Sequence, residues 1–66
     1  MSLHVNGDEL AIAQMGSDFL LLEKPYSHPP TTAEVSLIVD GHEERWSVNL
    51  PEGIRPGENR VIASRI

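Results

Sequence analysis

The 66-residue chain carries ten acidic and five basic side chains, a formal net charge of −5, and no cysteine. A domain of this size buries only about 60% of the surface its unfolded chain exposes, and without cysteine it has neither disulfides nor thiolate metal sites for support. The acidic balance disfavours duplex nucleic acid as a partner, because such binding runs mainly through phosphate neutralisation by Lys and Arg.

Turn signals divide the chain at Asn6-Gly7, Gly16-Ser17, Lys24-Pro25, Pro29-Pro30, Asp40-Gly41, Pro51 and Pro56-Gly57. The pieces between them are of strand length, and none has convincing helical periodicity. Asn6-Gly7 favours a type I′ hairpin turn that brings Leu3 opposite Leu10. Residues 7–14 contain Leu, Ala, Ile and Gln, which tolerate helix, but the flanking turn signals make this piece a strand. A second tight turn at Gly16-Ser17 pairs Ile12 with Leu21 and Ala13 with Leu20. Leu10, Ile12, Phe19 and Leu21 then lie on one side of a three-strand meander, with Ala11, Ala13, Leu20 and Leu22 on the other. Both sides are apolar, so one of them is expected to meet another part of the fold or a second subunit.

Residues 24–32 form a long, proline-stiffened loop. After it comes a hairpin in which a four-residue loop, Asp40 to Glu43, sets Leu37 opposite Trp46, Val35 opposite Val48 and Ala33 opposite Leu50. On the other face Ile38, Ser36 and Glu34 meet Arg45, Ser47 and Asn49, so apolar pairs with apolar. A one-residue slip destroys that match. A two-residue Asp40-Gly41 loop keeps the same faces but sets Leu37 against Glu44, and ranks second. Leu50 to Gly53 suits a type I turn and Arg55 to Glu58 a type II turn. Arg60 to Arg65 is the last strand, with Val61 and Ala63 on one face.

These elements describe residues 1–66 as one all-β domain, a small antiparallel barrel or two-sheet sandwich of five to six short strands. The order of long loop, central hairpin, tight turn and terminal strand resembles SH3-like barrels in architecture. The acidic-aromatic loop pattern of peptide-binding SH3 domains is absent.

Few residue patterns point to chemistry. There is no Gly-x-Ser-x-Gly elbow and no glycine-rich phosphate cradle, and a domain this small has little interior for a catalytic pocket. His4, His28 and His42 follow no metal-ligand spacing, so no metal or other cofactor is expected. The carboxylates of Asp8, Asp18, Asp40, Glu52 and Glu58 fall at turns, where solubility and turn chemistry account for them. Trp46 reads as a core residue whose indole N–H needs a partner.

The expected function is therefore a non-catalytic protein-interaction or regulatory module. It would present a sheet edge or the 24–32 loop to a protein partner or to another copy of itself. Tyr26, His28, Pro29 and Pro30 are the candidate binding residues on that loop. Homo-oligomerisation is expected through the Leu10, Ile12, Phe19, Leu21 face or the Leu20, Leu22 face. The alternative is a small-ligand or metal-binding domain using the 24–32 loop or the 40–44 turn. Nucleic-acid binding would require Arg45, Arg55, Arg60 and Arg65 to gather on one face. No basic n-region precedes an apolar stretch, and the longest apolar run, Phe19 to Leu22, is too short to span a bilayer. A cytoplasmic location is expected.

Overall fold

A computed structural model describes all residues, Met1–Ile66. It contains seven strands and no helix: β1 (Ser2–Val5), β2 (Asp8–Met15), β3 (Phe19–Leu22), β4 (Thr31–Val39), β5 (His42–Leu50), β6 (Arg60–Ile62) and β7 (Ser64–Arg65). No helix long and apolar enough to cross a membrane is therefore present. The strands form one antiparallel sheet in the order β6-β3-β2-β1-β4-β5-β7. Because β6 and β7 are separated only by Ala63, the sheet's two outer strands are one stretch of chain. The expected single strand over 60–65 is thus bent at Ala63, whose N–H donates to the Asp18 carbonyl at 3.0 Å. The bend draws both edges together into a nearly closed barrel, which accounts for seven strands where five or six were expected.

Turn chemistry sets the registers. Asn6 and Gly7 have φ of 51° and 82°, and Asp40 and Gly41 have 51° and 80°. Two successive positive φ values define the type I′ turn, whose twist matches that of the flanking strands. Leu3 stands opposite Leu10 as expected. The β4–β5 hairpin corrects the preferred register. Its loop is the two-residue Asp40-Gly41, so Val35 faces Trp46, Leu37 faces Glu44 and Ser36 faces Arg45. The I′ geometry outweighs the apolar match of Leu37 with Trp46. Shifting the pairing by two residues leaves every side chain on its expected face.

The β2–β3 pairing is a second correction. Gly16 N–H donates to the Phe19 carbonyl at 2.8 Å, so the loop is Ser17-Asp18 rather than Gly16-Ser17. Met15 pairs with Leu20 and Gln14 with Leu21, then the register shifts and Ile12 pairs with Leu22. The shift is a bulge at Ala13, which leaves Ala13 and Gln14 both exposed. Ile12 consequently shares the interior with Leu20 and Leu22, whereas Phe19 and Leu21 face outward and are half-buried. The expected grouping of Leu10, Ile12, Phe19 and Leu21 on a single face does not occur.

The core is one cluster of twelve residues drawn from every strand except β7, together with Ile54 and Ala63. Leu3, Leu20, Val35 and Leu50 are completely shielded from solvent. Burial of such side chains contributes about 1.5–3 kcal/mol each.

Candidate functional site

Strand direction sorts the loops to two ends of the barrel. The Asn6-Gly7 turn, the 24–30 crossover and the turns at 51–54 and 55–58 lie at one end. The Ser17-Asp18 loop, the β4–β5 hairpin tip, Met1 and Ile66 lie at the other.

The crossover plugs the first end. His28 and Ile54 exchange backbone hydrogen bonds of 2.9 and 2.8 Å, and Ile54 is buried. Gly53 passes so close to the crossover that a Cβ there would collide with the His28 carbonyl oxygen, and its φ is +65°. Leu50 closes the turn by accepting from Gly53 N–H at 3.1 Å, and Arg55 does the same for Glu58 at 3.3 Å, as both turn signals implied. Tyr26 packs against the core and donates its hydroxyl to Asp8 Oδ2 at 2.6 Å. That hydrogen bond, with lesser contributions from burial and the Asp8 charge, raises the Tyr26 pKa above 10.0. Of the four candidate binding residues on this loop, Tyr26 and the His28 backbone are engaged within the fold, and Pro29 and Pro30 are exposed. A shallow polar cleft of about 440 Å³ beside them is lined by Glu52, Arg55, Glu58, Asn59 and Arg60, with Arg55 held by Glu52 at 2.8 Å.

The second end holds a mostly apolar cleft. Met15, Phe19, Leu20, Trp46 and Val48 line a cleft of about 200 Å³ that Arg65 borders. Trp46 reaches it from the inner face of β5, opposite Val35. It is half-buried rather than a core residue, and the Arg65 guanidinium lies 4.9 Å from its ring centroid. Arg60 sits likewise 4.8 Å from the Phe19 ring. Each guanidinium is attracted to the electron-rich ring face.

Above the cleft the β4–β5 hairpin runs on as a two-stranded ribbon. β1 pairs β4 only through Glu34, Val35 and Ser36, and β7 pairs β5 only at Val48 and Asn49. Residues 37–44 therefore project, and the molecule measures 33 Å along its long axis against 23 Å across. Leu37 and Val39 lie on the ribbon's inner face with Glu44 and His42, Ile38 on its outer face. Ile38, Val39, Met1 and Ile66 are the large apolar residues most exposed, at 69, 48, 45 and 73%. All four belong to this end.

The charged groups do not converge. Arg45 is bound by Glu43 at 2.6 Å and Glu34 at 2.9 Å, on the ribbon's outer face. With Arg55 also in an ion pair and Arg60 and Arg65 over rings, the four arginines do not present one free basic face. No three His, Asp or Glu side chains gather as a metal-binding group, at the 40–44 turn or elsewhere. His4 shares a hydrogen bond of 3.0 Å with Ser36 Oγ.

The apolar end escaped sequence reasoning because it is assembled from both termini, one turn and one hairpin, which only the strand order brings together. Its one local signal was Ile38-Val39 beside a turn dipeptide. Comparison with protein-family models, curated proteins and solved structures finds no match.

Proposed function

We propose that this chain is a non-catalytic protein-interaction module, an SH3-like barrel that docks a protein partner at its open end. The observation that carries the reading is that all four strongly exposed large apolar residues lie at the end of the barrel that holds the Trp46–Phe19 cleft. Isolated surface apolar residues are ordinary, whereas an apolar patch confined to one end marks an interaction site. Trp and Arg, the side chains most enriched in binding hot spots, stand together in the cleft as Trp46 and Arg65. The plugged end supplies rigidity. A regulatory role through the partner fits the small size of the chain.

Photo-crosslinking tests this reading. A photoreactive residue placed at Val39, in cells of the natural host, is expected to yield one adduct of defined mass, and the same residue at Lys24 none. Equal labelling from both positions, or no adduct from Val39, would refute it.

A further inference from the structure

We infer that a second copy of this chain pairs antiparallel along the free edge of β5, residues His42 to Trp46, with Glu43 of each copy opposite Arg45 of the other. This goes beyond docking at the open end, because it rests on backbone groups and charge order rather than on the cleft.

On its far side β5 is paired with β7 at Val48 and Asn49, and Ser47 accepts from Ile66 N–H at 3.0 Å. Backbone N–H and C=O groups alternate between the two sides of a strand. Since Ser47 faces that edge, Arg45 and Glu43 face it too, and neither has a strand partner there. Unsatisfied edges of this kind are templates for another strand.

The register follows from symmetry. A twofold axis at Glu44 sets Glu43 against Arg45 twice, and the N–H and C=O groups of all four residues are used in reciprocal hydrogen bonds. An axis at Arg45 would spend Glu43 on Ser47, whose carbonyl is already taken, and an axis at Glu43 would spend Arg45 on the Gly41 turn. Only the Glu44 axis fits. It places opposite charges together on the outer face, extending the Glu34–Arg45–Glu43 network across the two copies. On the inner face His42 meets Trp46 of the second copy, beside Val39. Edge charges normally repel a copy, but here they alternate in sign, so the antiparallel copy meets its complement. Glu44 against Glu44 is the opposing term, and Glu44→Gln is expected to tighten the dimer about threefold.

The experiment is sedimentation equilibrium of the intact chain from about 10 μM to about 1 mM, the range suited to a small interface. The natural sequence is expected to dimerise there. Glu43→Arg and Arg45→Glu should each stay monomeric. Their equimolar mixture and the double variant E43R/R45E should dimerise again, since both restore the opposed charges. A monomeric natural chain, single variants that dimerise unchanged, or a mixture that stays monomeric would each overturn the inference. Glu44→Cys gives an independent reading in this cysteine-free chain. Its sulfurs would meet at the twofold within disulfide reach, so rapid oxidation to a covalent dimer is expected, with Glu34→Cys remaining monomeric. No faster oxidation than Glu34→Cys contradicts the register even where the charge variants fail to fold. A monomeric chain that still gives a Val39 adduct of another mass removes self-pairing alone and leaves docking at the open end standing.

Discussion

At Gly53 two demands coincide, a left-handed backbone and the close passage of the His28–Pro30 chain. Gly53→Ala must meet both, and is expected to cost about 2–4 kcal/mol, measurable by urea unfolding. Leu20 is fully enclosed, and Leu20→Ala is expected to cost about 2–5 kcal/mol. Against a total of about 3–10 kcal/mol for a domain of this length, either change approaches global unfolding. Tyr26 acts through protonation. Its folded pKa is raised above 10.0 by the hydrogen bond to Asp8, so its contribution is complete below that value and disappears as pH rises through the folded pKa. Tyr26→Phe should therefore lower the melting temperature slightly at neutral pH and flatten its decline above about pH 10, as thermal melts across pH will read. The importance of the 24–32 loop was legible in its three prolines and its length. That its aromatic ring and its backbone turn inward was not, because the partners Asp8 and Ile54 are remote in sequence.

At the scale of elements, the turn dipeptides carried most of the information. Asn6-Gly7, Leu50 to Gly53 and Arg55 to Glu58 all turn where their residues imply. The β4–β5 faces were legible, since apolar alternation fixes a face, but loops of two and four residues preserve the same alternation and differ only in pairing. The bulge at Ala13 left no trace, because alanine is neutral between the two faces. That one residue decides whether Ile12 joins Leu20 or Leu21. Hydrogen exchange reads the ribbon directly. In the monomer, at concentrations well below dimerisation, the Glu43 and Arg45 amides should exchange faster than those of His42, Glu44 and Trp46, which point to β4, and equal protection along β5 at that dilution would contradict the free edge. Ile38 and Val39 are exposed, so Ile38→Thr and Val39→Thr should each alter stability by no more than about 0.5 kcal/mol. If they also weaken partner capture, recognition and folding are separate properties of this hairpin.

The whole molecule is a barrel with unlike ends, one stitched shut by the crossover and one holding a mostly apolar cleft beside a charged hairpin tip. Closure depends on the 60–65 stretch, which serves both sheet edges at once, so damage there opens the sheet on two sides. The all-β class was readable from turn spacing, whereas the division of labour between ends arises from strand order, which no local pattern encodes. Trp46, the only tryptophan, stands in the open cleft and makes the proposal measurable without a label. The decisive measurement is acrylamide quenching of its fluorescence, in the free protein and with the partner recovered from the Val39 adduct. Partial quenching when free and strong protection with a blue shift on binding are expected. A Trp46 already inaccessible in the free protein, or quenched equally in both states, would contradict docking at the open end.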